Sequence, residues 1–322
     1  MSIFVRMDPQ LKRIFEKQHY AFAGEHSAVK LCHWMRQSLL YGRTCYKQLF
    51  YGIQSHRCLQ MTPTITQCTH MCLFCWRYQQ FTNQEFEVLD DPVEMLDNAI
   101  AAQQKLITGF KGDERCDQKK WKEANKPNMV ACSLSGEPTL YPKLGAFFEE
   151  CHKRNMTTFL VTNGTQPEAL AALDPLPTQL YVSVIAPDKQ TYKRLCLPLI
   201  PDGWDRIMNT LELLPSLDTR IVIRHTLLEG WNMDDKAVEQ FAKLDATADP
   251  LCIEPKGYVF VGYSRNRLTL DQMPSHAHVQ EFGHNLADRM GYTMPLEQPE
   301  SRVVLLTSTP EKVRLPSKKS YA

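Results

Sequence analysis

Three cysteines in the run CTHMCLFC, Cys68, Cys72 and Cys75, stand in a CxxxCxxC arrangement. Three thiolates on one short loop can hold three irons of a [4Fe-4S] cube and leave the fourth iron without a protein ligand. An open iron is a binding site. Zinc is the competing occupant, but structural zinc usually takes four protein ligands in closely spaced pairs, and no second pair follows at short range. Upstream, Cys32, Cys45 and Cys58 are separated by equal gaps of 13. That spacing is too long for a local zinc knuckle and suits thiolates gathered from separate helical turns, although three core cysteines would account for it as well. A further chemical group is Lys256, in the apolar run IEPKGYV. A lysine there is expensive to bury as a cation, so its pKa should be depressed and the amine nucleophilic, able to condense with a ketone. The plainer alternative pairs it with Glu254 or with a substrate carboxylate.

The rest of the composition narrows the setting. The 322 residues are 43% hydrophobic and 23% charged, which excludes disorder and collagen-like repeats. Six of the 11 cysteines fall between residues 32 and 75, a distribution that favours metal or redox chemistry over disulfides; the other five, Cys116, Cys132, Cys151, Cys196 and Cys252, read as ordinary thiols. No apolar run approaches the roughly 18 residues that span a bilayer, and the N-terminal segment is charged throughout, so a cytoplasmic protein without membrane attachment is expected. Net charge is +1, yet residues 1–60 carry nine Lys or Arg against three Asp or Glu, and residues 301–322 carry five against one. Two basic ends point to a nucleic-acid face or to solvated surface charge.

Alternating strand-like and helix-like segments must position these groups. LQMTPTITQC reads as a strand running into the CxxxCxxC loop, and DDPVEMLDNAIAAQQKLITG as a helix capped by Asp91 with Pro92 in its first turn and a stop at Gly109. Five more pairs follow, with strands in MVACSLSG, TTFLVTNG, LYVSVIA, RIVIRHTLL and LCIEPKGYVFVG. Near-continuous apolar strands are those of a parallel sheet covered on both faces, so the fold class is α/β, a partial (β/α)6 TIM-like barrel. Residues 1–57 read as an N-terminal helical extension, with AVKLCHWMRQSLL as one helix; 58–300 form the barrel and 301–322 a basic C-terminal tail. Between the first helix and second strand, GDERCDQKKWKEANKPN reads as a basic surface loop. Chemistry in such folds gathers at the C-terminal ends of the strands.

The CxxxCxxC spacing, with Phe74 before its last cysteine, resembles the radical SAM superfamily. The resemblance implies a [4Fe-4S] cluster on Cys68, Cys72 and Cys75 whose open iron takes S-adenosylmethionine. SGEP at 135–138 is similar to the superfamily's GGE motif, with Ser135 in place of its first glycine, and implies S-adenosylmethionine contacts from Gly136 and Glu137. Asn163 and Ser183, at the ends of the third and fourth strands, stand where further contacts belong. The phrases TPTITQCTHMCLFCWR, SGEPTLYP, IEPKGYVFVGYSRNRLT and MPSHAHV, with Cys32, Cys45 and Cys58, resemble the tRNA 4-demethylwyosine synthases of wybutosine biosynthesis over roughly residues 25–308.

That family resemblance implies a lyase-type synthase acting on N1-methylguanosine next to the anticodon of phenylalanine tRNA, with pyruvate supplying two carbons. It implies a second [4Fe-4S] cluster on Cys32, Cys45 and Cys58, whose open iron is expected to bind pyruvate through its carboxylate and ketone oxygens, the alternative to an imine on a lysine. It looks like the short archaeal form, without a flavodoxin domain, and so implies a separate electron donor of flavodoxin or ferredoxin type. Lys30 and Lys47 are rivals to Lys256 as the pyruvate-binding amine. RNA is expected over the barrel mouth, with Arg36, Arg43, Lys119, Lys120 and Lys122 on phosphates and the target base drawn out against an aromatic such as Trp76. Other readings of the same residues are a radical SAM enzyme with a different task, such as an RNA methyltransferase or a glycyl-radical activase, and a metal-stabilised RNA-binding protein without catalysis.

Overall fold

The computed structural model describes residues 7–80, 86 and 88–316. In chain order these form α1 (Pro9–Lys17), β1 (Tyr20–Phe22), β2 (Ala28–Lys30), α2 (His33–Tyr41), α3 (Tyr46–Tyr51), β3 (Cys58–Thr62), α4 (Pro92–Ile107), α5 (Gln118–Ala124), β4 (Met129–Cys132), α6 (Leu144–Lys153) and β5 (Thr157–Thr162). There follow α7 (Pro167–Ala171), β6 (Gln179–Ser183), α8 (Lys189–Cys196), α9 (Gly203–Leu213), β7 (Arg220–Leu227), α10 (Asp235–Ala248), β8 (Cys252–Gly257), α11 (His276–Met290), β9 (Thr293–Gln298) and β10 (Val303–Thr307). One sheet runs β1-β2-β3-β4-β5-β6-β7-β8-β10-β9. Its six central strands, β3 to β8, are parallel neighbours in sequence order, the six of the expected partial barrel.

Two cores result from the alternation of side chains across the strands. Leu59, Met61, Val130, Leu160, Leu180, Val182 and Ile223 face outward against the helices. Met129, Ala131, Phe159, Tyr181, Val222 and Cys252 face inward, where α3 fills the barrel with Tyr46, Phe50 and Tyr51, and Cys45 and Cys58 pack against this inner cluster. Helix α4 forms as its sequence dictates: Asp91 accepts from the amides of Val93 and Glu94, and Pro92 occupies the first turn.

Three expectations are corrected. Residues 1–57 are not uniformly helical, because Ala28–Lys30 is a strand and the helix begins only at His33. The β1–β2 hairpin pairs antiparallel with β3, satisfying what would otherwise be the open edge of the parallel sheet. Residues 301–322 are not a tail throughout: β10 is buried along its length and pairs antiparallel with β8, Val303 opposite Lys256. The apolar run VVLLT decides that placement, and the flanking charges concealed it; 317–322 lie outside the described residues. The basic insert is no plain loop, since Asp117 caps α5 through the amides of Lys119 and Lys120, and Trp121 anchors the helix by donating its Nε1 to Ile107 O at 2.9 Å. Among the described residues no helix is long and apolar enough to cross a membrane.

Candidate metal centres and barrel interior

The CxxxCxxC loop leaves the C-terminal end of β3 and is strapped to the chain that leaves α8. Met71 N donates to Cys196 O, Leu73 N to Leu195 O at 3.0 Å and Leu199 N to Thr69 O at 2.8 Å. Arg267 donates to the carbonyls of Leu73 and Cys75. Burial, then the neighbouring thiol of Cys72, pushes Cys68 up; burial also raises Cys75, against the pull of Arg77. Cys72 is raised first by a hydrogen bond with Cys196 and then by burial. Half-buried thiols that raise one another are costly as anions and are relieved by a cation in their midst, so this donor set fits a cluster. Cys72 also has a second neighbourhood: its Sγ and one ligand atom each of His70 and Cys196 lie within 4.8 Å of one another. His70 Nε2 is already engaged with Tyr192 OH at 2.7 Å.

The SGEP turn closes over this loop. Gly136 has φ +82, and a Cβ there would sit 1.7 Å from Thr64 O. Only glycine fits. Glu137 is buried, and burial raises its pKa while its hydrogen bonds oppose the shift. Its Oε1 accepts from Thr139 Oγ1 and Thr162 Oγ1, both at 2.7 Å, and Oε2 accepts from Asn163 N at 2.7 Å. Glu137 therefore ties the end of β4 to the end of β5. Asn163 Nδ2 reaches Thr69 Oγ1 at 2.8 Å and Cys68 Sγ at 3.9 Å. A small cavity of about 40 Å³ lies against Cys68, Cys75, Arg77, Tyr78, Ser135 and Gly136. Phe74 packs on the outer core, and Ser183 ends β6 opposite Arg224 of β7.

The second cysteine group stands at the other end of β3. Cys58 is the first residue of that strand, and Cys32 and Cys45 precede the first turns of α2 and α3. Burial raises Cys32, while the backbone amides of Trp34 and Met35 and the cations Lys47 and Lys256 pull it back. Cys45 and Cys58 are each pushed up to about 12, by burial first and by Cys32 second. These three half-buried thiols lie close enough to act on one another. Lys47 acts on all three of them and Lys256 on Cys32 and Cys45.

Both amines are half-buried in the barrel. Lys47 Nζ lies 4.1 Å from the ring centre of Tyr181 and 4.8 Å from that of Phe159. Lys256 Nζ donates to Ser301 O at 2.8 Å and lies 4.9 Å from the ring centre of Tyr46. Burial, and after it the charge of Arg224, lowers both, Lys256 to about 8. Below them Arg224 and Glu254 form an ion pair at 2.7 Å, joined by Tyr46 and Tyr51.

Known proteins place the chain. Residues 62–242 match the radical SAM superfamily and residues 247–308 the family described as wyosine base formation. An S-adenosyl-L-methionine-dependent tRNA 4-demethylwyosine synthase of Pyrococcus abyssi is 52% identical over 93% of this chain and 89% of its own length. The like-named protein of Methanocaldococcus jannaschii is 37% identical over 94% and 97%. The solved structure of a TYW1 with a lysine-pyruvate adduct bound has a TM-score of 0.86 at 36% identity, covering 97% of this chain and 99% of that one. The chain belongs to the tRNA 4-demethylwyosine synthases.

Membership makes this protein a radical SAM enzyme, with S-adenosylmethionine and one [4Fe-4S] cluster. Of the residues singled out in the sequence, the fold of this synthase brings Cys68, Cys72, Cys75, Gly136, Glu137 and Asn163 together at one end of β3, and Cys32, Cys45, Cys58, Lys47 and Lys256 at the other. It does not gather the RNA candidates. Arg36, Arg43, Lys119 and Lys122 are exposed on or beside α2 and α5, at the end where β3 begins, as shown by His56 bonded to Glu123 at 2.6 Å. Trp76 lies at the other end, with Lys30 and Arg77 over its ring. Lys30 donates to Gln18 O, away from the second cysteine group. Sequence reasoning missed Arg224, although a charge inside the apolar run RIVIRHTLL is the same signal that singled out Lys256.

Proposed function

We propose that this protein builds the tricyclic base 4-demethylwyosine on tRNA-Phe, from N1-methylguanosine next to the anticodon and pyruvate. The observation that carries this reading is the pair of half-buried three-thiol sets at the two ends of β3, each with three donors for a [4Fe-4S] cluster. The first cluster, with S-adenosylmethionine, supplies the one-electron bond cleavage that opens radical chemistry. Around it Gly136 lets the SGEP turn approach the chain before the CxxxCxxC loop closely, Glu137 holds Asn163 in place, and Asn163 and Ser183 bind and orient the cofactor. The thiols of Cys32, Cys45 and Cys58 hold a second cluster, and electrons reach the enzyme from a separate flavodoxin- or ferredoxin-type donor.

Pyruvate is held beside the second set as an imine: a lysine nitrogen forms a C=N bond to the ketone carbon and the ketone oxygen leaves as water. A TYW1 of known structure carries a lysine-pyruvate adduct, which supports a lysine in this role. Lys47 is the better placed of the two amines, because it acts on all three thiols whereas the Lys256 amine is tied to Ser301 O. The expectation for Lys256 thus shifts to positioning. The test is anaerobic reconstitution with methylated tRNA, S-adenosylmethionine, a reductant and carbon-labelled pyruvate, followed by nucleoside mass spectrometry. The expected product gains two pyruvate carbons. A product that gains only a methyl group overturns the reading in favour of a methyltransferase.

A further inference from the structure

Arg224 projects from β7 between Ser183 of β6 and Glu254 of β8, its register neighbours on the inner face of the barrel. Its Nε and Nη2 donate to Glu254 Oε2 at 3.0 and 2.7 Å, and Nη2 donates also to Tyr46 OH at 2.8 Å. Glu254 is buried, with Oε1 accepting from Tyr51 OH at 2.5 Å, so the pair is fixed in place. A guanidinium has five N–H donors in a rigid fork. Three are committed here, and among the described residues the two of Nη1 have no hydrogen-bond partner. The side chain is 15% exposed against 0% for Glu254, so the guanidinium is the part of the pair that a small solute can reach.

Tyr181 links the guanidinium to the pyruvate site. The guanidinium lies 4.5 Å from the centre of the Tyr181 ring, and Lys47 Nζ lies 4.1 Å from the same centre. Arg224 keeps its charge whatever the state of the neighbouring lysines, and the two N–H donors of Nη1 suit the carboxylate of an anionic guest. We propose that Arg224 is the specificity residue that receives the carboxylate of the 2-oxo acid as its ketone condenses with the lysine. The inference rests on the imine reading above and adds to it the selection of 2-oxo acids over neutral ketones.

Borohydride trapping on the purified holoenzyme tests it, with labelled pyruvate compared against labelled methyl pyruvate, which keeps the ketone and loses the charge. Arg224→Lys keeps a cation without the fork. Arg224→Met combined with Glu254→Gln removes the pair without leaving a buried charge alone. In both variants the preference for pyruvate over methyl pyruvate, read from the concentrations for half-maximal trapping, should fall roughly 10- to 100-fold. An unchanged preference overturns the assignment, whether both ketones weaken together or neither does, and leaves Arg224 a support for Glu254. Failure of the wild-type enzyme to trap either ketone overturns the imine reading and this inference with it.

Discussion

Cys72 belongs to two neighbourhoods, and single changes separate them. Cys68→Ala should abolish 5′-deoxyadenosine formation under reducing conditions, whereas Cys196→Ser should leave most of it; the reverse result would assign the metal to the His70, Cys72 and Cys196 trio. Lys256 makes a different prediction, about pH. Its folded-state pKa of about 8 lies below the ordinary 10.5, so between those values the unfolded chain holds a proton that the folded one has lost. Stability attributable to Lys256 therefore rises with pH across that window and is constant below it. Denaturant unfolding of the metal-free protein should show that Lys256→Met gains on the order of 3 kcal/mol at pH 7 relative to wild type and loses the advantage by about pH 10.5. An advantage that does not change with pH would rule out the depressed amine.

Helix α5 carries Lys119, Lys120 and Lys122 next to α2 with its Arg36, which makes a basic face at the end of the barrel where β3 begins. If this face meets RNA phosphates, changing the three lysines to Ala should weaken tRNA binding and reduce the slope of log affinity against log salt by about 2. An unchanged slope excludes the helix from the interface. The same region shows why some elements were legible in the sequence and others were not. Helix α4 announces itself through Asp91, Pro92 and an apolar stripe, signals local enough to read from neighbouring residues. The three-residue strands β1 and β2 are too short to show a period, and their existence depends on the open edge of β3, a demand set elsewhere in the chain. The CxxxCxxC loop was legible from its spacing, whereas the equal gaps of Cys32, Cys45 and Cys58 suit core cysteines as well, and only the family resemblance singled out that set as cluster ligands. Arg224 and Glu254 become a pair only through the register of β7 on β8, which no local pattern records.

At the scale of the molecule, the two thiol sets should load independently. The triple variant of Cys32, Cys45 and Cys58 to Ala should keep about four of about eight irons and still cleave S-adenosylmethionine while making no tricyclic base. Unchanged iron in that variant would refute the second cluster. The sets are joined by one strand, β3, with Cys58 as its first residue and Cys68 six residues beyond its last. A strand is a ruler graduated at roughly 3.3 Å per residue, with alternate marks on opposite faces. Inserting one residue in β3 would turn Cys58 out of the barrel, and inserting two would restore its face but move the sets apart. The distance between the two centres therefore cannot drift by small steps as sequences diverge, and a functional lineage must inherit the length of β3 whole, even where the loops around it change freely.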